Sequence, residues 1–288
     1  MSIIFYSIGD WGKISRGLEA SAKSMDLISR VKQPSFILSL GDNFYPDGVE
    51  SSTDEQWDTT FRQIFTGKNL YCPWYSVLGN HDYLLNPQAQ IDYYLEKRDL
   101  RWTMPYRYYH VTKTYENSTI QLVFIDTVQL DLISAPALLP KDVIKRENLT
   151  QSKSDTHLVW IEETLAASTA DWLIVIGHYN LYTGGWHGSN RNLLNLLKPL
   201  FIKYKVDMYL SGHCHHLEHL SDSGIEYVIS GSGAKTGNTS KIYQTKFDYG
   251  SNGYTIHEIN KNILKTSFID SYTSQVLYSF EQEQKRNL

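Results

Sequence analysis

The chain has 288 residues, 27 Lys plus Arg against 31 Asp plus Glu, and a formal net charge of −4. With 41% hydrophobic and 20% charged residues it has the make-up of a globular protein with enough apolar material for a sizeable core. No run approaches the roughly 20 apolar residues of a membrane span, and mild acidity without a basic tract argues against nucleic acid as the main partner.

Taken in chain order, short runs rich in Ile, Val, Leu, Phe and Tyr alternate with longer helical patterns. A strand is predicted over Ser2–Ile8 and a helix over Ser15–Val31. The next strand falls on Phe36–Leu40, followed by a helix over Thr53–Phe65 with Ser51, Ser52 and Thr53 as cap candidates. Tyr75–Leu78 reads as a strand, Gln88–Lys97 as a helix and Ile120–Asp126 as a strand. From about Thr127 to Asp155 no pattern is visible, and a stretch that long is expected to be functional or mobile. A helix over Leu158–Ala167, a strand over Trp172–Ile176 and a helix over Arg191–Tyr204 follow. Asp207–Ser211 and Tyr227–Ser230 read as strands. After Gly231 the helices stop, and Gly253–Ile259, Ile263–Ile269 and Val276–Phe280 form a closing run of strands with short polar separators. There is no repeat or linker, so residues 1–288 are expected to form one layered α/β domain. The opening MSIIFYSIGDWG lacks a basic region and a long apolar run, so no signal peptide is expected in this chain.

The chain has ten histidines and two cysteines. Cys72 and Cys214 allow at most one disulfide and are too few for a zinc–thiolate site, so imidazole and carboxylate would have to hold any metal. Five histidines cluster in or beside glycine turns. Gly9-Asp10-Trp11-Gly12, Gly41-Asp42-Asn43-Phe44-Tyr45, Gly79-Asn80-His81-Asp82, Gly177-His178-Tyr179-Asn180 and Gly212-His213-Cys214-His215-His216 each follow an apolar run. Each opens with glycine and then presents an oxygen or nitrogen donor. Any one of them reads equally well as a turn or a packed histidine. Together, at five strand ends, they point to a site.

This order of motifs resembles the calcineurin-like metallophosphoesterases and, more narrowly, the small tartrate-resistant purple acid phosphatases. The likeness runs from Ile4 to about Phe280 and includes Asp171-Trp172-Leu173-Ile174-Val175, Arg101-Trp102, Met104-Pro105 and Tyr108-Tyr109. Most of the wider family has Asp-x-His as its first motif. Here the third position is Gly12, and Tyr45, three residues after Asp42, replaces the lost ligand, as in the purple group. A phenolate is a hard donor suited to ferric iron.

The resemblance implies a four-layer α-β-β-α sandwich of two mixed sheets. It implies a binuclear centre of Fe(III) with Fe(II), Zn(II) or Mn(II). Asp10, Tyr45 and His215 would hold the iron, Asn80, His178 and His213 the second metal, and Asp42 would bridge them. The implied activity is acid hydrolysis of phosphate monoesters, on small molecules or phosphoproteins, by metal-bound hydroxide. His81 and His187 are the expected proton donors and phosphate contacts. Trp186 takes the place of the family's glutamate beside His187. Asp82 could orient His81 or be a solvated loop acid. His216 could contact the ligand pair from behind, whereas His110 and His219 are expected to be structural or exposed. A monomer is expected. The family points to a secreted or lysosome-like compartment, the bare N-terminus equally to the cytoplasm. Two other functions stay open: a phosphodiesterase or nucleotide hydrolase on the same metal core, and a catalytically weak scaffold that keeps the fold.

Overall fold

The computed structural model describes residues 3–115, 118–132, 135–260 and 262–286. The chain first lays down four parallel strands, β1 (Ile3–Ile8), β2 (Phe36–Ser39), β3 (Trp74–Ser76) and β4 (Trp102–Thr103). It then builds a second sheet from β5 (Tyr109–Tyr115), β6 (Ser118–Phe124), β7 (Trp172–Ile176), β8 (Met208–Ser211), β9 (Leu217–Asp222), β10 (Ile225–Ser230) and β11 (Thr245–Tyr249). Finally β12 (Gly253–Asn260), β13 (Ile263–Asp270) and β14 (Val276–Glu283) return to the first sheet. The orders are β14-β13-β12-β1-β2-β3-β4 and β11-β9-β10-β8-β7-β6-β5, both mixed.

Side chains alternate across each strand, so a sheet covered on both faces needs apolar residues at every position. In β1, Ile3 and Phe5 join β7 residues Trp172, Ile174 and Ile176 in the core between the sheets. Tyr6 and Ile8 face outward into a second core with Leu18, Ala22 and Met25 of helix α1 (Arg16–Ser29). On the far side Leu173 and Val175 belong to the core that includes Ile161 and Leu165 of α6 (Gln151–Ala166) and Leu193, Leu197 and Phe201 of α7 (Arg191–Lys203). The result is the expected α-β-β-α layering.

Several element predictions need correction. The stretch from Thr127 to Asp155 is not a loop. It holds α3 (Thr127–Leu130), α4 (Ala135–Leu138), α5 (Lys141–Arg146) and the first turns of α6 (Gln151–Ala166). These helices are too short, or too polar at their start, to print an apolar period. Thr150 caps α6 by accepting the Lys153 amide, so the helix starts at Gln151, seven residues upstream of the predicted beginning at Leu158. The helix over Thr53–Phe65 shrinks to a π-turn at Trp57–Arg62, because Asp54 instead accepts the Glu50 and Gln56 amides in a turn. Helices α2 (Gln88–Leu95) and α7 (Arg191–Lys203) lie where expected. Strands β4, β5, β9 and β11 were not anticipated, and Ser2 lies outside the described residues. Among the described residues no helix is long and apolar enough to cross a membrane.

Candidate metal centre

Strands β1, β2 and β3 run parallel in one sheet, and β7 and β8 run parallel in the other. The turns leaving their C-terminal ends carry all five motifs, and they meet where the sheets adjoin. The Gly9 amide of the first sheet donates to the Ser230 carbonyl of the second at 2.7 Å, which ties the two edges together. Asp10, Asp42 and His213 all adopt positive φ (55°, 52° and 66°). That conformation costs a non-glycine residue about 1–3 kcal/mol and persists only where the surroundings enforce it.

The seven predicted ligands come together. The Tyr45 hydroxyl lies 2.7 Å from Asp42 Oδ2, 3.1 Å from Asp10 Oδ1 and 3.5 Å from His215 Nε2. On the other side His178 Nε2 lies 3.2 Å from Asn80 Oδ1 and 3.4 Å from Asp42 Oδ1. The rings of His178 and His213 are 5.1 Å apart. Ligand atoms at bond lengths of about 2.1 Å sit roughly 3 Å apart around an octahedral ion, so these spacings fit shared coordination. Asp42 reaches both groups, one oxygen toward each. The donors are hard oxygens and imidazoles, suited to iron, zinc or manganese. Asp10, Asp42 and His178 bring ligand atoms within 4.8 Å of one another.

Protonation in the cluster follows its burial and its charges. His178 Nδ1 donates to the Leu40 carbonyl at 2.8 Å, so in the neutral ring Nε2 is the lone-pair nitrogen facing Asn80 and Asp42. Burial opposes charge on His178, but Asp42 and Asp10 outweigh it and raise its pKa. Burial would likewise raise Asp42, yet His178, His81 and the Tyr45 hydroxyl hold its carboxyl below the usual range. Burial and then its histidine neighbours keep His213 neutral, as a ligand must be. Tyr45 is pushed far up by burial, Asp10 and Asp42, so only a bound cation would make it a phenolate.

The exchange of Gly12 for a ligand has a steric cause. A Cβ on Gly12 would lie 2.3 Å from the Asn43 carbonyl, because the strand end carrying Tyr45 passes through that space. The Tyr45 amide donates to the Gly12 carbonyl at 2.9 Å, locking the two turns together. A Cβ on Gly79 would similarly come within 2.2 Å of Asp42 Oδ1.

Asp82 is neither a solvated acid nor a partner of the His81 ring. It is fully buried and accepts the amides of Asn43, Phe44 and Gly79 and the Gln90 side chain, fixing the turns of Asp42, Tyr45 and Asn80 from beneath. Burial, then Asp42, pushes its pKa up to about 7.

His81 and His187 flank the cluster. The His81 ring lies 4.5 Å from that of Tyr45, with Nδ1 on the Pro46 carbonyl at 2.5 Å. His187 stacks on His213 at 4.0 Å, and the exposed Trp186 indole covers its other neighbourhood at 3.8 Å. Burial and the His215 imidazole lower the His187 pKa to about 4. The His187 loop is pinned by Glu218, a buried carboxylate that accepts from Thr183 Oγ1, the Gly184 amide, His216 Nε2 and Thr245 Oγ1. His216 therefore contacts Glu218 rather than a ligand. His219 is buried against Phe280 and Glu226, and His110 is exposed.

Sequence reasoning missed Glu218, and it missed Lys235. The Lys235 ammonium lies 3.6 Å above the Tyr45 ring, a cation at the mouth of the cluster. Its backbone is held by Asn252, and the Ala234 amide donates to the Asp10 carbonyl. The available signal was the small-residue run Gly231-Ser232-Gly233-Ala234 after β10, which lets the chain press against the Gly9-Asp10 turn.

Residues 4–217 match the family model for calcineurin-like phosphoesterases. Rat tartrate-resistant acid phosphatase type 5 is 33% identical over 93% of this chain and 86% of its own length. Purple acid phosphatase 4 of Arabidopsis thaliana is 33% identical over 93% of this chain and 80% of its own. Among solved structures, that of GAP50, the anchor in the inner membrane complex of Plasmodium, superposes with a TM-score of 0.87 at 25% identity. It covers 99% of this chain and 89% of that one.

Proposed function

This chain belongs to the calcineurin-like metallophosphoesterases, in the purple acid phosphatase group, and on that premise we propose that it hydrolyses phosphate monoesters at a binuclear centre of Fe(III) with Fe(II), Zn(II) or Mn(II). The observation that carries the reading is Asp42, whose two oxygens face two separate donor groups. Asp10, Tyr45 and His215 would hold one ion, and Asn80, His178 and His213 the other, with Asp42 shared. When bound, such a pair supplies an activated water and neutralises phosphoryl charge.

The remaining work falls to the chain. The Leu40 carbonyl orients His178, and Asp82 and Glu218 hold the turns, so the site is organised before substrate arrives. His81 and His187 are the groups placed to contact the phosphoryl oxygens and to return a proton to the leaving oxygen. With its pKa near 4, His187 is charged only in acid, which confines its donation to the acid range. Lys235 adds positive charge on the Tyr45 side. The substrates in this reading are phosphorylated small molecules or phosphoproteins, and the protein acts as a monomer built of one domain over residues 1–288.

A second reading has its own support. The structural likeness to an anchoring protein, together with Trp186 where the family carries glutamate, fits a scaffold with little turnover. Turnover of 4-nitrophenyl phosphate and bis(4-nitrophenyl) phosphate by the iron- and zinc-loaded protein separates the possibilities. Faster cleavage of the monoester is expected. Preference for the diester would overturn the monoester assignment, and no cleavage of either would favour the anchor.

A further inference from the structure

Beside the ligand cluster lies a cavity of about 330 Å3, lined in part by His187 and His213. Because it shares these two residues with the centre, a group attached to a phosphoryl unit there would extend into it. Its polar wall is largely committed to internal contacts. Asn180 Nδ2 donates to the Gly188 carbonyl at 3.2 Å, and Oδ1 accepts from the Cys214 thiol at 3.2 Å. Ser189 Oγ accepts the Thr183 amide and donates to the Thr183 carbonyl. Asn190 caps α7 by accepting the Leu193 amide, and its Nδ2 joins that of Asn192 on the Asp131 carboxylate.

Two lining groups are exceptions: the Tyr179 hydroxyl, buried without a hydrogen-bond partner among the described residues, and Arg191. The Arg191 side chain is exposed and lines the cavity, and among the described residues its guanidinium has no hydrogen-bond or ion-pair partner. Among the described residues no carboxylate lines the cavity; Asp131 sits behind the two asparagine amides. Among the described lining residues the one uncommitted charge is this guanidinium, which favours anionic occupants, and the planar fork matches carboxylate and phosphate oxygens in pairs.

We propose that this cavity is the leaving-group subsite and that Arg191 selects monoesters whose leaving group carries a second anion, a carboxylate or another phosphate. The inference rests on the phosphatase reading above and adds a substrate class to it. The volume admits a small organic group rather than a folded protein surface. Arg191 is exposed, and water screens a charge pair there, so the discrimination expected is about five- to tenfold.

The test compares kcat/KM for phenyl phosphate, 4-carboxyphenyl phosphate and benzene-1,4-diyl bisphosphate in the metal-loaded wild type, Arg191→Gln and Arg191→Lys. The wild type should favour one or both anionic esters over phenyl phosphate by at least fivefold, mainly through KM, and the two anionic esters show which anion is preferred. In Arg191→Gln that ratio should fall toward one, and Arg191→Lys should restore part of it. Equal use of all three esters by the wild type would overturn the subsite, as would a preference that survives Arg191→Gln, since the metals or Lys235 would then be reading the anion. Cleavage of none of them would sink the phosphatase reading and this inference together, whereas cleavage without discrimination leaves that reading intact.

Discussion

Tyr45 owes its place to Gly12 as much as to its own turn. The Asn43–Phe44 backbone occupies the space a side chain at position 12 would need, so the two residues act as one unit. Gly12→Ala should therefore destabilise the fold by about 2–4 kcal/mol, read from urea unfolding, because backbone must move to admit the methyl group. Tyr45→Phe should keep the fold but abolish the visible iron–phenolate absorption of the iron-loaded protein. An unchanged band would place the chromophore elsewhere. Asp42→Asn keeps the shape of the shared residue and removes its charge. Metal content should fall below two per chain and turnover by at least ~100-fold, measured by metal analysis and initial rates.

Elements were legible in proportion to their apolar contrast. The central strands β1, β2, β7 and β8 are buried on both faces and read as continuous apolar runs, and the turns after them carry the candidate ligands. The edge strand β5 alternates inward and exposed positions across Tyr109–Tyr115, with His110, Thr112 and Thr114 on the open face, and β11 is nowhere fully buried. Such strands owe their pairing to a neighbour rather than to their own composition. The same limit applies to the site. Ligands at strand ends follow a pattern of glycine and donor, but Asp82, Glu218 and Lys235 act across 34 to 190 residues of sequence, where no local spacing marks them. Glu218 shows how much rests on such contacts. Glu218→Ala would leave the Thr183, Gly184, His216 and Thr245 donors without their acceptor and should cost about 3 kcal/mol or more. The loop through His187 should open first, seen as faster amide exchange over residues 183–188 than elsewhere.

For the molecule as a whole, burying two sheets between helix layers traps titratable groups whose effects on stability oppose one another. His157, stacked on Tyr108 with neither ring nitrogen hydrogen-bonded, has its pKa lowered to about 3 by burial, and His257 is lowered to about 3 in the same way. Above pH 6.5 these rings are neutral whether the chain is folded or not. As pH falls from 6.5 toward 3 the unfolded chain takes up protons that the fold refuses, and stability is lost. Asp82 and Asp207, raised by burial to about 7 and about 6, act with the opposite sign. Their folded forms hold protons that the unfolded chain gives up near pH 4, so they stabilise in acid and lose that contribution as pH rises. The two sets offset each other between about pH 4 and 6.5, which flattens the stability profile there. His157→Phe isolates one term. Its stability relative to wild type should grow as pH falls from 6.5, by up to about 1.4 kcal/mol per pH unit. A pH-independent difference would mean that the fold protonates His157 as readily as the unfolded chain does.

The proposed function depends on two cations sharing Asp42. The most direct measurement is an activity titration: metal-stripped protein receives iron and then zinc, and 4-nitrophenyl phosphate hydrolysis is followed against equivalents added. Activity should stay near zero through the first equivalent and rise to a plateau at two per chain. Full activity at one equivalent, or none at any stoichiometry, would contradict a binuclear phosphatase.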